Sequence, residues 1–308
     1  MQGDTMQGGE RAGLLFTLAG FSMLSVGDAI VKGMAGEWAA PAMVLVRYLA
    51  AMALLGTLLV RKEGAGALAV PRAPLQWVRG IGIALSALGM FFALWIMPLA
   101  EATTITFTQP MMTALLAMLL LGEPARRQTW IATAIAFAGV AIVLRPNLAE
   151  AGAAAFLPLV GAAGMSVVMV ANRASVGHAS VLRIQYWLCV TAFIFMLPLV
   201  AVLHATGLPP FQVGWPDWSV LARCVLIGGT ASLGHWLIYL GVSRAGAGTV
   251  APMTYGQLLV AVALGALFFG EVPDMTALAG AALIVGAGLY LWRATQGPLV
   301  MAEDNAVG

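Results

Sequence analysis

A few ionisable and amide side chains interrupt stretches that are otherwise apolar, and their spacing limits what they can do. In "SVGDAIVK" (25–32), Asp28 and Lys32 stand four residues apart, one turn from each other on the same helix face. Arg47 interrupts the next apolar stretch, "PAMVLVRYLAA" (41–51). Charges so placed could line a vestibule, where they would bind a substrate carboxylate or gate its access. They could equally be structural, with Asp28 stapled to Arg47 while Lys32 reaches for an interface.

Two glutamines raise a similar choice. Gln109 lies among Thr103, Thr104, Thr106 and Thr108, and Gln257 beside Thr254 and Tyr255. Neutral donors and acceptors next to an apolar wall suit a neutral metabolite. The alternative is hydrogen bonding between packed helices, typically worth about 0.6 kcal/mol per contact. In "GHWLIYLG" (234–241), His235 and Tyr239 again share a face, with Trp236 at its edge. They would line a cavity or pack against a neighbour, and His235 could also carry a proton.

The elements that hold these groups follow from composition. Of 308 residues 61% are hydrophobic and only 9% charged, with a mean hydropathy of +0.93. Soluble domains carry roughly 25% charged residues, so water cannot be the solvent over most of this surface. Stretches of about 20 apolar residues cross a bilayer as helices. Ten can be placed, near 12–34, 39–60, 77–98, 101–121, 128–145, 153–172, 181–203, 217–241, 248–269 and 274–293. No alternating strand pattern suggests a β-barrel. The expected fold is an all-α integral membrane protein. Its first span is too long for a signal peptide and has no small-residue cleavage site. Cys189 and Cys224 fall inside spans, so no disulfide is expected.

The chain also repeats itself. "TFTQPMMTALLAMLLLGE" (106–123) aligns without a gap to "TYGQLLVAVALGALFFGE" (254–271), an offset of 148 residues. Thr106 matches Thr254, Phe107 matches Tyr255, Gln109 matches Gln257, and Gly122–Glu123 matches Gly270–Glu271. The offset covers five spans, an odd number, so equivalent helices must run in opposite directions. Residues 12–145 are then one five-helix repeat, 153–293 a second, inverted one, and 294–308 a tail. Inverted repeats are a device of secondary transporters, whose substrate site lies at the repeat interface near the midplane.

Basic residues favour cytoplasmic loops. With the N-terminus inside, that side holds Arg11, Arg61, Lys62, Arg72, Arg79, Arg126, Arg127, Arg173, Arg183, Arg244 and Arg293. The other side holds only Lys32, Arg145 and Arg223. Both termini are expected in the cytoplasm, and the basic loops reflect topology rather than nucleic-acid binding. Glu123 and Glu271, each after a glycine at a span end, read as helix caps. "ATAIAFAG" (132–139) and "AGAALIVGAG" (279–288) carry small residues at four-residue spacing, a pattern for close helix contact.

The chain resembles the EamA family of the drug/metabolite transporter superfamily. The residues that carry the resemblance are "GDAIVK" (27–32), "PAMVLVRYLAA" (41–51), "MPLAEATTITFTQPMMTALLAMLLLGE" (97–123), "GVSRAGAGTVAPMTYGQLL" (241–259) and "FFGE" (268–271). Within the family it is similar to bacterial metabolite carriers such as YddG-type exporters of aromatic and other amino acids, and also to riboflavin and S-adenosylmethionine carriers. The resemblance implies a bacterial inner-membrane carrier with no cofactor and no ATP. It also implies a central cavity lined by spans one, three, four, six, eight and nine. There Gln109, Gln257, Thr104, Thr106, Thr108, Thr254 and His235 would meet substrate polar groups. Tyr239 and Tyr255 would hold its apolar part.

Other chemistry finds little support. The G-x-G-x-x-A matches at 64–69 and 246–251 do not follow a strand, so they are not dinucleotide sites. No metal or catalytic site is expected, since His178, His204 and His235 are scattered and Asp28 is the one acid well inside a span. The expected partners are a small-molecule substrate and the lipid bilayer, with no nucleic acid and no obligate protein partner.

Overall fold

The computed structural model describes residues 2–69, 74–122, 127–173, 179–245 and 251–295. Glu123, Arg126 and residues 296–308 of the tail lie outside these segments, so the expected Glu123 cap is not among the described residues. Among the described residues eleven α-helices contribute to the ten spans. They are α1 (Gln2–Lys32), α2 (Ala40–Glu63), α3 (Pro74–Ile96), α4 (Leu99–Thr106), α5 (Gln109–Leu121) and α6 (Arg127–Ala151). Then come α7 (Leu157–Arg173), α8 (Val181–Ala205), α9 (Trp218–Ala245), α10 (Gly256–Phe269) and α11 (Met275–Thr295). Among the described residues there is no strand, nine helical spans are long and apolar enough to cross a membrane, and 253–269 is a shorter apolar helix. The protein is a ten-helix membrane bundle of two inverted five-helix repeats.

Local chemistry explains several helix ends. Pro41 sits in the first turn of α2, where its missing N–H costs nothing. Gly122 after α5 and Gly270 after α10 occupy the left-handed region at φ 68° and 67°. Equivalent glycines of the two repeats thus end equivalent helices the same way, in a conformation that other residues adopt at a cost. Asp274 caps α11, accepting the Ala277 N–H at 2.6 Å. Several boundaries differ from those read in the sequence, the first being that α1 begins at Gln2 and not near residue 12. α6 does not stop at Arg145 but runs on to Ala151, and Asn147 Nδ2 bonds back to the Val143 carbonyl at 3.1 Å. Span four is two helices, for a reason that belongs to the site.

Packing is by backbone contact at glycine. A Cβ on Gly20 of α1 would stand 2.7 Å from the Gly234 carbonyl oxygen of α9, and one on Gly89 of α3 would stand 2.7 Å from the Gly161 nitrogen of α7. These are the same contact in the two repeats: α1 meets α9 as α7 meets α3. The small residues of α6 and α11 also meet, with Gly139 and Gly280 each 2.8 Å, at an added Cβ, from the other's carbonyl oxygen. Lipid tails are as apolar as leucine, so such close fit supplies the cohesion that water would supply elsewhere. Outward-facing Leu119, Leu267 and Phe268 are 70%, 78% and 72% exposed, at no cost in that solvent.

Candidate functional site

Ser25, Asp28 and Lys32 form one stripe on α1, and every member of the stripe meets the α10 segment. The Ser25 hydroxyl donates to the Gln257 carbonyl at 2.8 Å. Asp28 Oδ2 accepts from Gln257 Nε2 at 3.4 Å. Lys32 Nζ pairs with Glu271 Oε1 at 2.7 Å, beyond the end of α10.

The staple between Asp28 and Arg47 does not form. Arg47 lies over the rings of Tyr48 and Phe91, at 4.7 and 5.6 Å, and its Nη2 donates to the Tyr48 hydroxyl at 3.1 Å. That hydroxyl in turn donates to the Ile83 carbonyl of α3 at 2.9 Å. The aromatic neighbours hold Arg47 on the α2–α3 side, while Asp28 turns towards α10. Asp28 and Arg47 therefore face one cavity without a salt bridge between them.

That cavity, of about 190 Å³, lies at the centre of the bundle. Asp28, Arg47, Gln109, Gln257, Thr106, Thr254 and His235 line it, with Phe91, Phe107 and Met165 among its apolar walls. Its walls come from spans one, three, four, six, eight and nine, and Arg47 is the contribution of α2.

Both broken spans meet here. Between α4 and α5 the ladder tightens, with Phe107 N bonding Thr104 O and Thr108 N bonding Ile105 O, three residues back. Pro110 has no N–H for the Thr106 carbonyl, so an unbroken α-helix is not available. On the other side a 3-10 turn, Ala251–Tyr255, precedes α10. Phe107 and Tyr255, equivalent by the repeat, meet edge to face at 5.4 Å and 88°. Equivalent residues touch only at a symmetry axis, so the pseudo-twofold axis passes between these rings.

The hydroxyl contact of Ser25 also has its mirror. Ser166 of α7 donates to the Gln109 carbonyl at 3.0 Å. Each broken helix thus has its glutamine carbonyl bonded by the first span of the opposite half. The signal for this was present in the sequence: "SVGDAIVK" (25–32) and "SVVMVANR" (166–173) align at an offset of 141 residues. Loss of either hydroxyl should cost about one interhelical bond, roughly 0.6 kcal/mol. Ser25→Ala and Ser166→Ala are each expected to lower the melting temperature in detergent by only about 1–2 °C. A fall of about ten degrees or more would mean that these hydroxyls carry far more than a local tie.

Five expected site residues lie elsewhere. Thr104 and Thr108 are buried, and their hydroxyls bond the Ala100 and Ile105 carbonyls at 2.7 and 2.8 Å, on helix faces turned from the cavity. Tyr255 is committed to Phe107 and α11, where a Cβ on Gly288 would stand 1.7 Å from its hydroxyl. Lys32 is held by Glu271. Tyr239 lines a second cavity of about 600 Å³ between α2, α8 and α9, with Lys62, Gln185 and Trp236. His235 is in the wall of both cavities, its Nδ1 2.7 Å from the Ala231 carbonyl. A proton there leaves Nε2 as an acceptor.

Glu271 corrects a further expectation. It does not cap the helix that follows it, which Asp274 does. Its Oε2 instead accepts the Leu99 N–H at 2.9 Å, the first of α4, across the two halves. Two buried polar groups near span ends escaped sequence reasoning because position alone made them look interfacial. Glu101 accepts from Asn147, and Arg79 donates to Asn172 at 2.7 Å and Gln76 at 2.5 Å.

Comparison with known proteins agrees with this architecture. The profile of the EamA-like transporter family matches twice, over residues 11–145 and 152–292. The chain is 25% identical to an S-adenosylmethionine uptake transporter of Rickettsia bellii, over 74% of this chain and 75% of that one. It is 28% identical to a pseudopaline exporter of Pseudomonas aeruginosa, covering 92% and 96%. It is 31% identical to a riboflavin transporter of Rhizobium johnstonii, covering 73% of each.

Proposed function

We propose that this chain, which belongs to the EamA-like transporter family, is an alternating-access carrier for small zwitterionic metabolites, with amino acids, aromatic ones included, as its first substrates. The observation that carries this reading is the pairing of Asp28 and Arg47 across one cavity without contact between them. A carboxylate and a guanidinium facing one cavity match an α-ammonium and an α-carboxylate. An amino acid's ammonium and carboxylate would each meet an opposite charge there, the kind of partner a charge out of water needs. Gln109, Gln257, Thr106, Thr254 and His235 would supply the remaining hydrogen bonds, and Phe91, Phe107 and Met165 the apolar wall.

Transport would follow from the inverted repeat. Its two halves can exchange conformations of similar energy, exposing a midplane site to each side in turn. Export down a concentration gradient needs no coupled ion, and export is the direction proposed. The distribution of Lys and Arg supports cytoplasmic termini, and the bacterial relatives support an inner-membrane location.

Uptake of a cofactor-like metabolite is the second reading. Two relatives carry names of that kind, S-adenosylmethionine uptake and riboflavin transport. The larger cavity beside His235 offers room that an amino acid does not use.

Counterflow in liposomes separates the two. Vesicles holding the purified protein and an unlabelled metabolite mixture receive labelled phenylalanine, threonine, riboflavin or S-adenosylmethionine outside. Accumulation of the amino acids, lost in Gln257→Ala or Gln109→Ala, supports the exporter reading and the central site together. Accumulation of riboflavin or S-adenosylmethionine alone replaces it with the second reading.

A further inference from the structure

Lys32 ends α1 one turn beyond Asp28, and its ammonium is shared among three acceptors. Glu271 Oε1 stands 2.7 Å away, the Met97 carbonyl 2.8 Å and the Leu94 carbonyl 3.1 Å. An ammonium has three N–H donors, and all are used. The other oxygen of Glu271 holds the Leu99 N–H at 2.9 Å. The two side chains keep only 11% and 22% of their exposure, and the Phe269 ring lies 5.6 Å from Nζ.

The elements joined are informative. Lys32, the end of α3 and the start of α4 belong to the first half, whereas Glu271 belongs to the connection between α10 and α11 in the second. Directly below, Val31 and Asp28 line the central cavity. The same stripe of α1 also touches the second half at Ser25, but that contact lies close to the Phe107–Tyr255 axis. Lys32 is seven residues farther along, about 10 Å. If the halves rotate against each other, contacts at the axis persist and contacts at the rim part first. A second ion pair at this end, Glu37 with Arg223, also joins the halves, but its side chains are 39% and 30% exposed. In that setting an ion pair contributes little.

We propose that the Lys32–Glu271 pair is a latch that closes this end of the central cavity and must open for the cavity to face that side. The latch rests on the carrier reading given above. Glu271 couples it to the α3–α4 elbow, because its release also frees the first N–H of α4.

Thiol accessibility tests the latch without measuring transport. Val31→Cys is made in a Cys189→Ala/Cys224→Ala background, and a membrane-impermeant maleimide is added to each side of the reconstituted membrane in turn. Lys32→Gln and Glu271→Gln are then introduced separately. The glutamine at 271 keeps an oxygen for the Leu99 N–H while removing the charge, so a folded variant is expected. Labelling should rise about tenfold or more, from one side only, in both variants. Unchanged labelling in both, or an equal rise from both sides, overturns the latch. Because the readout is labelling, a carrier that accumulates none of the four solutes but shows the one-sided rise would keep the latch and lose the substrate proposal.

Discussion

Arg47→Ala is expected to weaken binding of a zwitterionic solute by about 100-fold, the equivalent of about 2.7 kcal/mol. Arg47 is held by Tyr48 and Phe91 through its flat guanidinium face and by one bond to the Tyr48 hydroxyl, leaving the rest of its donor fork available to a ligand carboxylate. Arg47→Lys keeps the charge but not the stacking or the fork, so only part of the affinity should return. Asp28→Asn should fall by a similar factor through the opposite end of the ligand.

The two losses can be told apart by the ligand. An amino acid, its amide and its N-acetyl derivative carry both charges, only the ammonium, and only the carboxylate. Ligand-induced shifts in melting temperature should rank the free amino acid first for the unaltered protein. Arg47→Ala should abolish the preference over the amide, and Asp28→Asn the preference over the N-acetyl derivative. Variants that lose stability yet keep both preferences would return Asp28 and Arg47 to a structural role.

Gly164→Val carries the largest expected effect on the fold. A Cβ at Gly164 would meet the Gly82 carbonyl oxygen at 2.5 Å and the Ser86 nitrogen at 2.8 Å, both backbone atoms of α3. No side-chain rotation relieves such a contact, so α3 and α7 must separate, and with them two walls of the central cavity. Overpacking of this kind typically costs 1–3 kcal/mol and more where backbone must move. The expected result is loss of a monodisperse protein in detergent, or a melting point lower by about 5–10 °C. Gly234→Val, placed against the Gly20 carbonyl oxygen at 2.9 Å, should do the same to α1 and α9. Gly286→Ala is the control. Nothing lies within 4 Å of a Cβ there, and helix propensity favours alanine by about 1 kcal/mol. Equal tolerance of valine at 164 and alanine at 286 would mean that close approach is not what holds these helices together.

Much of the architecture was legible in the sequence because its signals are local. Ten apolar stretches follow from the length of a bilayer-crossing helix, and a shared Thr-aromatic-x-Gln with a terminal Gly-Glu is enough to detect a repeat. An odd number of spans between copies then forces inversion. The finer reading of the site failed where it depended on direction around a helix. Thr104, Thr106 and Thr108 are two residues apart, so only one of the three turns towards the cavity. Tyr239 follows His235 by one turn, yet a helix at this position borders two cavities, and Tyr239 lines the other one.

The sequence by itself determined that this protein lives in lipid, that its halves are inverted copies, and that a few polar groups interrupt its apolar spans. Hydropathy, periodicity and counting are properties of the chain taken in order, and they need no partner to be read. Which groups meet was decided by the tertiary structure alone. Asp28 turns to Gln257 instead of Arg47, Lys32 to Glu271, and Phe107 to its own repeat counterpart Tyr255. Those partners lie far apart in the chain, and packing at glycine sets the angle at which their helices cross. That angle selects the side chains that come within hydrogen-bond range, and no spacing along the sequence records it.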